Sequence, residues 1–312
     1  MLERILSEAF IVSLLAATIR TSSPILLGAI GEIYSERSGV LNIGLEGQML
    51  MGALFGFLGA YYLGNHWLGL GCGMLAGGVI AVILAFLCVS LYANQVVTGV
   101  TINVLCLGLT TYTYRALFGV SMTVPNIEPI QPVNLPLLRD IPWLGPILFQ
   151  QKIFVYLTLL LVLVAYFTLY KTTVGLQVRA VGEHPSAAET MGVNVYKTRY
   201  LCIVLSGLLA GVGGAILSVG EVGTFTLNMS AGRGFMALAI VIFGGWNPLT
   251  ALAASLLFGA ADALQLSMQA LGLPVPPELL LSLPYALTVI AMGLAASRSR
   301  APASLALPYL KE

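Results

Sequence analysis

The sequence predicts an all-α fold: a polytopic bundle of about nine (8–10) transmembrane helices forming one domain over residues 1–312. Three observations carry this class. Only 9% of the 312 residues are charged and 58% are hydrophobic, whereas a soluble domain carries about 25% charged residues to wet its surface. The 64 residues from Met51 to Tyr114 contain no Asp, Glu, Lys or Arg. The apolar runs are continuous rather than alternating, which favours helices over a closed barrel, the other structure able to satisfy its backbone in lipid. A soluble enzyme is thereby excluded, and a net charge of +1 excludes a basic nucleic-acid binder.

A spanning helix takes about 20 apolar residues, and the expected spans lie near 8–30, 44–63, 67–93, 97–119, 152–170, 199–219, 233–247, 248–271 and 279–297. The first run, Ala9 to Ile19, follows acidic Glu3 and Glu8 and continues through Pro24 to Ile30, which reads as an uncleaved span rather than a signal peptide. Three later spans carry glycines four apart: Gly52/Gly56, Gly69/Gly73/Gly77 and Gly207/Gly211. In lipid that spacing lets helix backbones approach closely. Cys72, Cys88, Cys106 and Cys202 sit in apolar runs with no CxxC and no neighbouring His, so they read as small buried hydrophobes and not as a metal site.

Two stretches break the apolar pattern. Residues 120–151 hold Pro125, Pro129, Pro132, Pro136, Pro142 and Pro146, which forbid a regular span. Residues 171–199 are polar, with Lys171, Arg179, Lys197 and Arg199 near the membrane ends, a positive excess that marks a cytoplasmic loop. The Pro-rich loop is then extracytoplasmic, and the tail with Arg298, Arg300 and Lys311 is cytoplasmic.

Polar groups inside a membrane are costly and ask for a partner or a role. Gly31 to Gln48 places Glu32, Glu36, Arg37, Asn42, Glu46 and Gln48 between apolar runs, broken by Gly39, Gly44 and Gly47. A comparable interruption runs from Glu221 to Gly234, before an apolar run too short to span comfortably. One broken helix in each half is the pattern of a transport fold. If the two interruptions face one another, Asn42, Glu46, Thr98, Asn103, Phe225 and Asn228 line a passage, with Phe225 able to stack on a planar base. The alternative is that Asn42 and Asn228 cap helix ends and Phe225 faces lipid. Asp262, alone between apolar runs, reads as structurally paired. Catalytic signatures are absent: there is no HExxH and no GxSxG, and no lysine follows a glycine, so no Walker A loop exists.

Four segments, quoted as they stand, carry a resemblance. SERSGVLNIGLEGQMLMGA (Ser35 to Ala53), NQVVTGVTINVLCLGLTTYTYRALFG (Asn94 to Gly119), GLQVRAVGEHPSAAETMGVNVYKTR (Gly175 to Arg199) and GFMALAIVIFGGWNPL (Gly234 to Leu249) follow in order along the chain. Together they resemble the membrane permease subunits of bacterial ATP-binding-cassette (ABC) importers, nearest to the nucleoside and simple-sugar branch and related to branched-chain amino-acid permeases. The resemblance implies an inner-membrane importer with an ABC ATPase subunit, a second permease subunit and an extracytoplasmic solute-binding protein. It also implies no cofactor in this chain, ATP and Mg²⁺ being bound by the ATPase. A short first segment relative to ten-span relatives fits one member of an unequal, heterodimeric permease pair.

In that family a cytoplasmic coupling helix docks on the ATPase. It maps here to Glu183, His184, Pro185, Ser186, Ala187, Ala188, Glu189, Thr190, Met191 and Gly192, where Pro185 suits a helix start and Gly192 an end. The expected activity is alternating-access transport of a small neutral polar solute, a nucleoside first, with ribose-like sugars or branched-chain amino acids as alternatives. A stand-alone secondary transporter or channel is the rival of another class, and it would need paired intramembrane acids.

Overall fold

The computed structural model describes residues 8–119, 125–133, 143–271 and 301–310, with positions 279, 282 and 286. Its helices are α1 (Glu8–Arg37), α2 (Leu45–Leu63), α3 (His66–Ala85), α4 (Gln95–Phe118), α5 (Ile153–Lys171), α6 (Thr173–Glu183), α7 (Pro185–Thr190), α8 (Val195–Ala215), α9 (Arg233–Phe243) and α10 (Pro248–Ala270). Wider π turns continue α3 through Ser90 and α8 through Val222. Six of these helices, α1, α3, α4, α5, α8 and α10, are long and apolar enough to cross a membrane. The chain is a multi-pass, all-helical membrane protein. Eight of the nine expected spans contain a helix, and the ninth, 279–297, lies outside the described residues apart from positions 279, 282 and 286.

Local chemistry sets most of the helix starts. Asn65, Asn94, Asn194 and Asn247 each turn a side-chain oxygen onto the first free N–H groups of α3, α4, α8 and α10, and Thr172 does so for α6. In α1 every residue from Ser22 to Ile33 is buried, as in a helix surrounded on all sides. Helix α10 returns antiparallel to α1, with Gly259 against Thr18 and Ser22 and its first turn beside Trp246, whose carbonyl accepts from Arg37.

The glycine spacings mark one seam. Gly52 and Gly56 of α2, Gly69, Gly73 and Gly77 of α3, and Gly207 and Gly211 of α8 meet backbone to backbone. A Cβ on Gly73 would stand 2.6 Å from both the Gly52 carbonyl and the Ala215 methyl. Close approach of this kind gives dispersion contact where no hydrophobic force joins helices.

The two ends of the bundle differ. At one, the proline end, Ile127 N–H donates to Gly223 O (2.8 Å), Thr224 Oγ1 to Pro125 O (2.9 Å) and Val133 N–H to Gln151 O (3.0 Å). At the other, the tail end, residues 301–310 lie across the bundle. Ser304 N–H donates to Gly182 O (2.9 Å), Ala306 N–H to Gly39 O (3.2 Å) and Arg199 Nη1 to Leu307 O (3.1 Å).

Three expectations change. The first interruption shrinks from Gly31–Gln48 to Ser38–Gly44, because α1 runs on to Arg37 with Glu32 and Glu36 buried and hydrogen-bonded. Residues 171–199, expected as a connection carrying one short helix, hold two helices and the start of a third. Arg199 is not a surface charge: it is 2% exposed, and Nε donates to Ser38 O at 3.2 Å.

Candidate solute path and coupling surface

Helices α2 and α9 start inside the bundle without side-chain caps of their own. Their free N–H groups are met by side chains from other segments. Glu46, on the first turn of α2, accepts from Gly232 N–H (2.8 Å), Gly234 N–H (2.7 Å) and Ser230 Oγ (2.6 Å). A carboxylate there answers both the orphan donors and the positive end of the α9 dipole. Asn103 of α4 bridges the other break: its Oδ1 accepts from Gly47 N–H (2.8 Å) and its Nδ2 donates to Ile43 O (2.9 Å). The two interruptions therefore face one another, joined through Glu46.

Asn42 is fully buried and ties three helices. Its N–H donates to Glu32 Oε1 (2.8 Å), and its Nδ2 donates to Gln48 Oε1 (2.9 Å) and Ser206 Oγ (3.1 Å). Ser206 Oγ donates in turn to Glu32 Oε2 (3.0 Å). Thr98 is 8% exposed, on α4 below Asn103. Phe225 faces neither lipid nor open space. It is 1% exposed, packed with Leu54 and Phe57, its ring 5.3 Å from that of Tyr114. Asn228 is exposed with φ of 57°. Asn42, Glu46 and Asn103 thus share one neighbourhood, while Phe225 and Asn228 lie apart from it towards the proline end.

Sequence reasoning named Glu32 and Glu36 among the polar residues of the first interruption but gave them no place in the path, and gave none to Ser206 or Ser230. Two acids one helical turn apart in α1 were the available signal for the first two. They are the paired intramembrane acids a secondary transporter would use, yet each is held: Glu32 by Asn42 and Ser206, Glu36 by Trp246 Nε1 at 2.5 Å. Asp262 is paired as expected, 2.9 Å from Arg233 Nη2. Nearer the proline end Lys152 lies 3.5 Å from Glu221.

At the tail end α7 runs from Pro185 to Thr190, Pro185 occupies its first turn, and Gly192 turns the chain with φ of 86°. Glu183, His184, Ser186, Ala187, Thr190, Met191 and Gly192 are exposed, Met191 at 84%. Pro185 and Glu189 are half-buried, and Ala188 is buried against Val181, Val195 and Tyr309. The Tyr309 hydroxyl is hydrogen-bonded to Glu189. Leu176, Ala180, Ala187 and Met191 line an open cavity of about 460 Å³, within the usual range of ligand-sized hollows.

The family model described as "Branched-chain amino acid transport system / permease component" matches residues 14–292. This chain is a member of that permease family. The permease is 40% identical over 304 residues to the guanosine ABC transporter permease protein NupQ of Bacillus subtilis, covering 95% of each chain. It is 36% identical to the nucleoside ABC transporter permease protein NupC of Lactococcus lactis, over 93% of this chain and 94% of that one. It is also 42% identical to the protein of Haloferax volcanii described as "Putative glucose ABC transporter permease protein TsgC13", over 86% of this chain and 82% of that one. A stand-alone secondary transporter is thereby set aside.

Proposed function

We propose that this permease moves a nucleoside across the bacterial inner membrane by alternating access, as one of two unlike permease subunits of an ATP-driven importer. The observation that carries the substrate is the 40% identity to the guanosine permease NupQ along 95% of both chains. The likeness to TsgC13 favours a simple sugar as the second reading. ATP and Mg²⁺ bind the partner ATPase, and this chain holds no cofactor. Differential binding of ATP to the two states of the assembly supplies the free energy, which the permease transmits.

The exposed set on α7 supports docking of the ATPase at the tail end, so that residues 171–199 are cytoplasmic and 120–151 extracytoplasmic, facing the solute-binding protein. Met191 and Ala187 beside an apolar cavity suit burial under a partner. Nine crossings remain the proposed count: α10 runs towards the proline end and Ser304 packs at the tail end, so the described residues on either side of 279–297 lie at opposite ends of the bundle. Helix α4 supports a second permease subunit. Val97, Val104 and Tyr112 are 64%, 66% and 72% exposed, and Thr111 lies beside Val104 and Tyr112, an exposed strip wide enough to pack against another helix. Asn42, Glu46, Thr98, Asn103, Phe225 and Asn228 are proposed to border the path rather than to grip cargo, since most are already bonded or packed.

Uptake of radiolabelled guanosine and glucose into proteoliposomes holding the whole importer tests the substrate. Guanosine uptake that needs ATP supports the reading. Glucose uptake without guanosine uptake would overturn it in favour of the sugar.

A further inference from the structure

A cavity of about 340 Å³ opens where α1, the end of α8, the start of α9 and α10 come together. It sits at the second-half interruption, in the kind of place where broken helices build solute sites. Its polar wall is Thr21, Glu221, Thr226, Arg233 and Asp262, with Pro24, Met229 and Leu266 supplying apolar surface. That mixture of apolar surface with a few convergent polar groups is the composition of small-molecule sites.

The charges are mostly answered within the protein. Arg233 Nη2 and Asp262 Oδ2 stand 2.9 Å apart, Lys152 and Glu221 3.5 Å. Arg20 lies near enough to act on Glu221 as well. Arg233 is the one cation among the lining residues, beside Glu221 and Asp262. With Lys152 and Arg20, which act on Glu221 from outside the lining, the cations number three to two acids, which works against a cationic solute. Glu221 Oε1 is buried and has no hydrogen-bond partner among the described residues. A buried acceptor without a donor is unfavourable, and a ligand N–H or O–H relieves it. A fully deprotonated inorganic anion brings no such donor. What fits is a neutral molecule with N–H or O–H groups and an apolar face.

We propose that this cavity is a solute-holding site of the permease for a neutral, donor-bearing molecule of nucleoside size, received by Glu221, Thr226 and the Arg233–Asp262 pair. The assignment rests on the nucleoside reading for its substrate class. It moves the point of solute contact from Phe225 and Asn228 to side chains a few positions away on the same interruption.

The test uses the complete importer in proteoliposomes. Thr226→Cys, exposed on the cavity wall, is labelled with a membrane-impermeant maleimide in a Cys72→Ala background, the other three cysteines being buried. Saturating guanosine is expected to slow labelling about tenfold, with no effect from leucine or glucose. Thr226→Val, which removes a hydroxyl and keeps the shape, is expected to raise the apparent KM for guanosine about fivefold at unchanged kcat. Leu266→Trp, which fills the space, is expected to abolish uptake while assembly and thermal stability stay as in the parent. Labelling indifferent to guanosine, in an importer that still takes up guanosine, would overturn the site and leave the proposed function standing. Protection by glucose but not guanosine, with uptake to match, would overturn both.

Discussion

Replacing Glu46 by Ala removes the group that closes the start of α9. Three donors lose their acceptor: Ser230 Oγ, Gly232 N–H and Gly234 N–H, now at 2.6, 2.8 and 2.7 Å. The Ser230 hydroxyl can rotate to a carbonyl, but the two backbone N–H groups are fixed in direction by the helix. Each buried donor left unmet costs about 1–3 kcal/mol, so the loss is about 2–6 kcal/mol. At roughly 2 °C per kcal/mol for a chain of this size, the midpoint falls by about 4–12 °C. Glu46→Gln is expected to be similarly harmful, because its NH₂ turns a donor onto donors. Gly234→Ala attacks the same contact from the other side, with a Cβ 2.5 Å from Glu46 Cα. Leu227→Ala, exposed in the neighbouring turn, is the control and is expected to melt with the parent. Thermal unfolding of the purified complex, followed by size-exclusion profile, gives the midpoints. A midpoint for Glu46→Ala within about 1 °C of the parent would refute the capping argument.

Gly73→Leu is expected to prevent assembly of α2, α3 and α8, whereas Gly71→Ala and Gly108→Ala, whose Cβ positions are open, are expected to gain about 0.5–1 kcal/mol from helix propensity; yield of folded permease in detergent separates them. Ala187→Glu and Met191→Glu are expected to weaken co-purification of the ATPase without lowering the melting midpoint, while Ala188→Glu, buried at 5% exposure, is expected to lower the midpoint. Arg199→Gln is expected to release residues 301–310, read as faster limited proteolysis in that segment; Arg199→Lys should rescue only in part, because a single ammonium cannot repeat the guanidinium's separated contacts with Ser38 and Leu307.

Apolar runs and asparagine caps made most of the helices legible, since both are local signals. The Gly52, Gly73, Gly77 and Gly211 spacings pointed to tight packing, and they proved to form one seam across three helices. Glu46 was visible as an intramembrane acid, but its capping role was not, because the donors it meets lie some 184 to 188 positions along the chain. Arg199 looked like one more positive charge beside the membrane. Its burial depends on residues 301–310 folding back, which no periodicity encodes. Phe225 was read as a stacking platform on residue type alone, and its neighbours Phe57 and Tyr114 are contributed by distant helices.

Residues 301–310 are the last of the described segments to leave the ribosome, yet they fasten some of the earliest. Gly39 and Gly182 accept from their backbone, Arg199 reaches across to them, and Tyr309 seals the apolar floor beneath Ala188. Until they arrive, the carbonyls of Gly39 and Gly182 and the Arg199 guanidinium lack these partners, and α7 rests on an unfinished base. The surface proposed to receive the ATPase is therefore complete only once residues 301–310 have folded back. Without residues 301–310, the helices can be threaded into the membrane while the base of α7, proposed to seat the ATPase, is unfinished. Under the proposed docking, readiness to couple is tied to this segment being in place.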